Sequence, residues 1–449
     1  MHYLEMAQDL IGHASIGGVE AEAIIIEGQT TMIRVNSGEV QELSQASSKG
    51  LGVRVIKEGR MGYAYTSDFS ASALEDTWRG AFALAESADP DEFRALPEPR
   101  QGDAEKDLQI YDPEFRNLTA DEKVALILDV ERAALAYDSH IVASSFCTYQ
   151  DGLSRVYLAN SQGFARSYES TGAAAYLRAI GRDEEGQTAG LGLGFSISYS
   201  DLNAEEIGQE ASRKALQLLG GKPVETQRAI VVMDPFVGVE FLSFISEALT
   251  AESFQRGRSF LMDKLGQKVA SSQVSMVDDG RLIKGFASAP FDGEGVPTSA
   301  TRLIERGILE QLLYDTYSAL KDGTRSTGNA QRSSYRDLPS PAPTNLYLEP
   351  SSQSLKDVIH GIDKGLYMVN SMNTGGINPV NGDYSVGASG LWIDKGQLVR
   401  PVAGVTVAGN MLDMLQNVVA VGDDLRFIPI YGSIGAPTMV IEGMTIGGK

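Results

Sequence analysis

The chain has few of the residues that bind transition metals or cross-link secreted proteins. Its 449 residues include one cysteine, Cys147, and four histidines. A single cysteine excludes an intrachain disulfide, as is usual for proteins made in a reducing cytoplasm. The histidines, at positions 2, 13, 140 and 360, have no second histidine at helical spacing. The sequence therefore contains no paired-histidine zinc motif.

Positive charge and long apolar segments are also scarce. There are 38 Lys and Arg against 59 Asp and Glu, which gives a net charge of −21. Such a surface repels phosphate backbones, so a nucleic acid partner is not expected. No apolar run approaches the roughly 20 residues that span a bilayer, and the N-terminus lacks the basic and apolar regions of a secretory signal. The composition predicts a cytoplasmic protein without a membrane or nucleic acid partner.

The first half of the chain alternates helical periodicity with groups of short strands. We predict an α+β fold whose N-terminal half contains two units, residues 1–105 and 106–222, each a strand meander between helices. Turn residues at Asn36-Ser37-Gly38, Glu58-Gly59 and Asp151-Gly152 predict hairpins, because Gly and Asn tolerate the backbone angles that tight turns need.

Capping patterns and a linker divide these units. Ser72 with Glu75, and Thr119 with Glu122, have the spacing of capping boxes, in which each side chain satisfies a free amide at a helix start. Residues 89–118 are rich in proline and charge. They are predicted to connect the two units.

Matching positions in the two units suggest an internal duplication. Asn36 and Asn160 each follow a strand and precede a glycine, and Arg54 and Arg178 each lie in a later apolar strand. Both pairs are 124 residues apart. The pattern favours a repeated structural unit, although common turn residues can also coincide by chance.

Residues 223–449 have a different character, with frequent glycine and short β-like apolar runs. We predict a β-rich domain, either barrel-like or a twisted sheet, with a few helices. The clearest helical segments there are Ser354–Leu366 and Met411–Val419.

Pairs of carboxylates in this domain raise the question of acid–base catalysis. They occur at Asp278-Asp279, Asp292/Glu294 and Asp423-Asp424. Catalysis would need one raised and one ordinary pKa, whereas turn chemistry explains all three pairs more simply. We predict no catalytic residue in the chain.

A series of motifs follows residue 225 in a fixed order. The stretches are Phe291–Thr298, Leu303–Leu309, Ser326–Arg332, Asn381–Ser385, Val405–Met411, Val421–Leu425 and Pro437–Gly448. No single stretch is diagnostic, but their order and spacing are specific. Together they resemble the TldD/PmbA family of metallopeptidases and their partner subunits.

The resemblance implies that the zinc motif of the TldD branch is missing here. In that branch a helix after an apolar strand carries His-Glu-x-x-x-His; in this chain the three positions are Leu242, Ser243 and Glu247. The TldD branch also supplies a cysteine before its last strand, whereas residues 425–431 contain none. The chain resembles the PmbA (TldE) branch, and we predict no metal site and no cofactor within it.

The resemblance further implies an assembly with a TldD-like subunit that holds zinc and cleaves unfolded peptides. This chain would complete the chamber and hold part of the peptide, by strand addition to a sheet edge. Thr344, Asn345, Gly375 and Gly376 are predicted peptide-binding residues. Two alternatives stay open: a peptidase active alone through an unrecognised site, and a homodimeric peptide-binding protein without enzymatic activity. A homodimer is also expected when the partner is absent.

Overall fold

A six-stranded antiparallel sheet organises the N-terminal half of the computed structural model, which describes residues 3–14, 18–99, 107–430 and 432–449. The strand order is β3-β2-β1-β4-β5-β6, so the first strands of the two units meet at the centre. The strands are β1 (Glu20–Asn36), β2 (Glu39–Lys57), β3 (Arg60–Thr66), β4 (Ile141–Asn160), β5 (Ala165–Arg182) and β6 (Gln187–Ser196).

Each unit has the element order helix, three strands, helix. The first contains α1 (Tyr3–Ile11) and α2 (Ala71–Ser87), and the second α3 (Ala120–Leu135) and α4 (Ala204–Gln217). These helices cover one face of the sheet, and alternate strand residues follow this division. On β1, Ala23 and Ile25 pack in the core under the helices, whereas Ile24 packs against the C-terminal domain.

The local signals of the N-terminal half were partly right. Ser37 and Gly38 have φ values of 55° and 77° and form the predicted turn between β1 and β2. The capping box of Thr119 and Glu122 is confirmed at α3. The box predicted for Ser72 and Glu75 is wrong, because α2 begins two residues earlier than expected, with Ser70 as its N-cap.

The predicted hairpin at Asp151-Gly152 is also wrong, since both residues lie inside β4. Asp151 is buried there, where its carboxylate is 2.6 Å from Nζ of Lys123 on α3. The hydroxyl of Tyr149 donates to the same carboxylate at 2.7 Å. A buried ion pair therefore holds a turn-forming residue inside a strand.

The predicted connection over 89–118 contains ordered backbone that packs on the sheet. Leu108 and Ile110 are buried, and the carbonyl of Ile110 accepts from the amide of Thr171 at 2.9 Å. A short 3-10 helix, Pro113–Arg116, follows. Residues 100–106 lie outside the described residues.

A closed barrel forms the centre of the C-terminal domain, which confirms the predicted fold class. Its strands are ordered β16-β15-β14-β7-β20, and β16 pairs with β20 to close it. A strand from the start of the domain therefore lies beside the strand from its end. These are β7 (Gln227–Met233), β14 (Lys364–Met372), β15 (Asp383–Asp394), β16 (Gln397–Asn410) and β20 (Met439–Gly447); β17 (Val418–Val421) pairs outside them with β20.

A second sheet packs beside the barrel in the order β10-β9-β8-β13-β19-β18. Its strands are β8 (Met276–Asp279), β9 (Ala300–Glu305), β10 (Ile308–Leu309), β13 (Asn345–Leu348), β18 (Arg426–Ile428) and β19 (Ser433–Ala436). A small hairpin is formed by β11 (Ala330–Gln331) and β12 (Ser340–Pro341). Helix α5 (Pro235–Ala248) contacts strands of both the barrel and this sheet, and most of its side chains are buried.

The other helices of this domain are short: α6 (Ala251–Gln255), α7 (Thr316–Lys321), α8 (Leu355–His360) and α9 (Met411–Gln416). The predictions over Ser354–Leu366 and Met411–Val419 located α8 and α9 but extended them too far. Residues 364–366 belong to β14, and residues 418–419 to β17. Among the described residues, no helix combines the length and apolarity of a membrane-spanning segment.

Candidate functional site

Helix α5 carries the three positions where the family resemblance places zinc-binding residues. Asp234 caps the start of the helix, and its carboxylate accepts from the amide of Phe236 at 2.9 Å. Leu242 is 1% exposed and belongs to the core. The Ser243 hydroxyl donates to the carbonyl of Glu240 at 2.7 Å, and Glu247 is exposed.

These donors do not fit a zinc ion. Zinc in proteins takes three or four converging His, Cys or carboxylate ligands, whereas α5 offers an apolar side chain, a hydroxyl bonded to its own helix and one exposed carboxylate. The neighbouring Glu240 is buried and accepts from the hydroxyl of Ser371. Across the described ranges, no group of three or more His, Cys, Asp or Glu is arranged to hold a metal ion.

A cleft of about 670 Å³ lies between the second unit and the C-terminal domain. One wall is the face of β4, β5 and β6 that the helices leave uncovered, and the other comes from the C-terminal domain. Pro429 and Ile430 on that side belong to the segment where the TldD branch would carry its cysteine ligand. The remaining lining residues are Thr30, Phe146, Gln150, Asp151, Gly152, Gly172, Ala173, Ala174, Tyr176, Arg178, Leu191, Leu193, Phe195 and Phe286.

Two side chains stand out in this mostly apolar cleft. Phe146 is 66% exposed and has a φ of 52°, at an irregularity in the pairing of β4 with β5. Such bulges re-aim side chains and are frequent beside functional sites. The guanidinium of Arg178 lies 5.1 Å from the centre of the Phe146 ring. Arg178 is exposed, and the described part of the chain provides no ion pair for it.

An acidic groove of about 540 Å³ continues from the cleft, sharing Leu193 and Phe195 with it. Asp201, Glu205 and Glu206 are exposed along this groove, as is Arg213, and Asp201 lies 3.4 Å from Nζ of Lys284. The site therefore combines an apolar cleft containing one arginine with a negatively charged extension.

Glu210, at the wall of this groove, forms ion pairs with Arg426 and Lys214 that balance its charge. Burial would raise the pKa of Glu210, but Arg426 and Lys214 lower it to about 2. Arg426 donates to Glu210 and, at 2.6 Å, to the carbonyl of Leu193. The edge of β6 is thereby tied to the C-terminal domain.

The carboxylates Asp292 and Glu294 lie away from this cleft, inside the contact between the first unit and the C-terminal domain. Arg54 is 4% exposed and donates to Glu22 and to Glu294, each at 2.9 Å. Burial and the neighbouring charge of Glu294 raise the pKa of Asp292 above that of an ordinary carboxyl group. Enclosure removes this pair from contact with solvent.

A loop of residues 332–337, here called the docking loop, completes the same contact. Arg332 donates to Glu22 and, at 2.8 Å, to the carbonyl of Gly293. The ring of Tyr335 lies so close to Gly50 that a Cβ there would be 2.2 Å from it. We call Arg54, Glu22, Glu294 and Arg332 the buried charge cluster.

The predicted peptide-binding residues lie in two places. Thr344 and Asn345 are buried beside β8, where Thr344 donates to Asp278 from its amide and its hydroxyl. Gly375 and Gly376 are exposed in a 3-10 turn. None of the four lines the cleft, and their role in peptide binding stays a prediction.

Sequence reasoning did not identify the cleft. In the sequence, Arg178 stands out only as the counterpart of Arg54, and Phe146 has no recognisable signal. The 124-residue offset is the one sequence pattern that points to these two residues. It pairs Arg178 with Arg54 and Phe146 with Glu22.

Comparisons with known proteins agree with the fold and cover nearly the whole chain. Models of the three PmbA/TldA metallopeptidase domains match residues 21–87, 113–219 and 226–448. Metalloprotease PmbA of Escherichia coli O157:H7 is 30% identical over 94% of this chain and 92% of its own length. A metalloprotease of Methanothermobacter thermautotrophicus is 31% identical over 92% of this chain and 90% of its own length.

Solved structures show the same architecture. A Thermotoga maritima MSB8 protein described as a modulator of a DNA gyrase superposes with a TM-score of 0.91, at 25% identity over 99% of this chain and all of its own. TldE of Thermococcus kodakarensis superposes with a TM-score of 0.89, at 23% identity over 98% of this chain and 99% of its own. The second likeness is one of fold alone.

Proposed function

The chain belongs to the PmbA/TldD family, and from this premise we propose that it is the PmbA/TldE-like subunit of a two-component zinc peptidase that cleaves unfolded peptides. In this proposal the chain holds part of the peptide, and a TldD-like partner supplies zinc and the catalytic residues. The observation that carries it is the donor set of α5, where Leu242, Ser243 and Glu247 replace the His-Glu-x-x-x-His residues.

The cleft supports the peptide-holding part of the proposal. Its volume of about 670 Å³ is within the roughly 300–1,000 Å³ typical of ligand sites, and its apolar wall suits peptide side chains. A net charge of −21 argues against direct contact with DNA. The proposal includes a cytoplasmic location, which the single, buried Cys147 favours.

Reconstitution tests this division of labour. The purified chain is mixed with a homologous subunit from the same organism that contains His-Glu-x-x-x-His, and cleavage of an unstructured peptide is followed with and without chelator. We expect chelator-sensitive cleavage by the mixture and none by this chain alone. The control is the same mixture with the first His of the partner's motif changed to Ala, which should be inactive.

Two results would support the alternatives instead. Cleavage by this chain alone, together with one bound zinc per chain, would mean that it has its own metal site. Glu247→Gln then tests the exposed carboxylate directly, because the proposal expects no change in activity or metal content from that substitution. Peptide binding by a homodimer, without cleavage in any mixture, would favour a non-enzymatic binding protein.

A further inference from the structure

We propose that Arg178 and Phe146 form a binding site for the C-terminal carboxylate of a peptide whose last side chain is apolar. The inference rests on the proposed function and specifies which end of the peptide this subunit holds. It depends on three observations: an arginine for which the described residues provide no ionic partner, a matching position that has such a partner, and the charge distribution along the cleft.

Arg178 is available for an anionic ligand. It projects from β5 into the cleft, where its guanidinium lies 5.1 Å from the centre of the Phe146 ring, and the described residues provide no ion pair for it. The left-handed backbone at Phe146 is costly for a residue with a side chain, and it places this ring beside the guanidinium. A phenyl ring contains no hydrogen-bonding oxygen, so the guanidinium beside it can still donate two parallel hydrogen bonds to a carboxylate.

In the first unit, the arginine that matches Arg178 binds carboxylates from within the chain. Arg54 lies 124 residues before Arg178, on the corresponding strand, and binds the carboxylates of Glu22 and Glu294. Glu22 lies 124 residues before Phe146. Glu22 is also the cross-strand partner of Arg54, whereas the cross-strand partner of Arg178 is Ser145 and Phe146 lies in the bulge beside it. In the second unit neither of these positions holds an acidic residue.

The second carboxylate of that arrangement comes from outside the sheet. Glu294 belongs to the C-terminal domain and approaches Arg54 from the uncovered face of the sheet. Around Arg178 the cleft occupies the corresponding face. Arg54 therefore binds a carboxylate from within the chain, whereas Arg178, at the matching position, faces a cleft that a carboxylate from another molecule can enter.

The surroundings favour a chain terminus over an acidic side chain. Tyr176, Leu191 and Phe286 provide apolar surface beside Arg178, which suits the last side chain of a peptide. The groove that continues past Leu193 is lined by four carboxylates and two arginines, which leaves it negatively charged; these are Asp201, Glu205, Glu206, Glu210, Arg213 and Arg426. Acidic residues upstream in the peptide would be repelled there, and basic ones attracted.

Fluorescence anisotropy with two labelled probes tests the inference in the full chain. The probes are a short unstructured peptide ending in leucine as the free acid, and the same peptide with a C-terminal amide. We expect the free acid to bind about 10- to 100-fold more tightly, the range for loss of charged hydrogen bonds. Arg178→Gln should weaken the free acid to the level of the amide, and Arg178→Lys should give an intermediate affinity.

Arg182→Gln is the matched control. It removes the same charge from the same strand, about 13 Å farther along, at an exposed residue that does not line the cleft. Affinity for the free acid should stay unchanged. Because both arginines are exposed, thermal unfolding should show that each variant folds.

The outcomes separate this inference from the proposed function. If both probes bind equally and Arg178→Gln has no effect, the carboxylate site is refuted while the peptide-holding function stands. If neither probe binds although the reconstituted pair cleaves peptide, the partner subunit holds the peptide terminus and this inference fails. If neither probe binds and the pair is inactive, both proposals fail.

Discussion

The buried charge cluster between the first unit and the C-terminal domain leads to a quantitative stability prediction. Its two arginines and two glutamates balance, and each member except Arg332 is at most 4% exposed overall. Arg54→Met removes the ionic partner of Glu294, whose other oxygen still accepts from the amide of Thr316 at 2.9 Å. Breaking one side of a buried ion pair costs about 3–5 kcal/mol. We expect a loss of that size in the free energy of unfolding.

The double variant checks whether charge balance is the cause. Arg54→Met combined with Glu294→Met leaves Arg332 and Glu22 as a neutral pair. The cost should therefore be smaller than the sum of the two single changes by about 1–3 kcal/mol. The matched control is Arg34→Met, which breaks an exposed pair with Glu42 at 2.8 Å and should cost less than about 1 kcal/mol.

Urea denaturation followed by tryptophan fluorescence measures these changes. The two tryptophans report on different parts of the fold, Trp78 on α2 and Trp392 on β15. Each is observed alone after changing the other to Phe. Arg54→Met should also separate the two transitions, because it weakens the contact between the parts. A loss no larger than that of Arg34→Met, or a double variant equal to the sum of the singles, would refute the reasoning.

Three further predictions concern sites elsewhere in the chain. Burial raises the pKa of Asp278 to about 6, so the folded state binds a proton that the unfolded state has released, and this proton stabilises the folded state at low pH. Between pH 5 and 8, the free energy of unfolding of the wild type, measured by chemical denaturation, should fall by about 1 kcal/mol relative to that of Asp278→Asn. A difference between the two proteins that does not change with pH would contradict this. Lys123→Met leaves Asp151 buried without its ion partner and should cost about 3–5 kcal/mol; adding Asp151→Leu should recover part of the loss, and no recovery would argue against the pair. Gly50→Ala forces a Cβ against the Tyr335 ring and should cost about 1–3 kcal/mol, whereas at Gly152 the nearest atom is 3.7 Å away and alanine should be tolerated; equal melting temperatures would contradict the packing.

The sequence predicted features that depend on neighbouring residues more reliably than those that depend on distant ones. The turn at Ser37 and Gly38 followed from their backbone tolerance alone. Asp151-Gly152 has the same local chemistry, yet a lysine on a separate helix keeps Asp151 in a strand. The partner of a buried charge is not visible in the local sequence, so that hairpin prediction failed.

The candidate site shows the same limit on a larger scale. The sequence alone shows that the zinc motif is missing, because its three positions lie within two turns of one helix. The cleft was not, since its walls come from three strands of the second unit and from a loop more than 200 residues later in the chain. Arg178 could be proposed as a binding residue only after the fold showed that its counterpart, Arg54, forms ion pairs with residues of the same chain.

The order of strands in the C-terminal barrel has a consequence for synthesis. β7 is among the first strands of this domain to be made, but it pairs with β14 and with β20, which is made last. About 200 residues lie between β7 and β20, so at about 5–20 residues per second the ribosome completes β20 about 10–40 s after β7. During that interval the apolar side chains of β7 and α5 lack their final partners. The N-terminal sheet can complete its pairing first, so a nascent chain carries a finished domain beside one that waits for its closing strand.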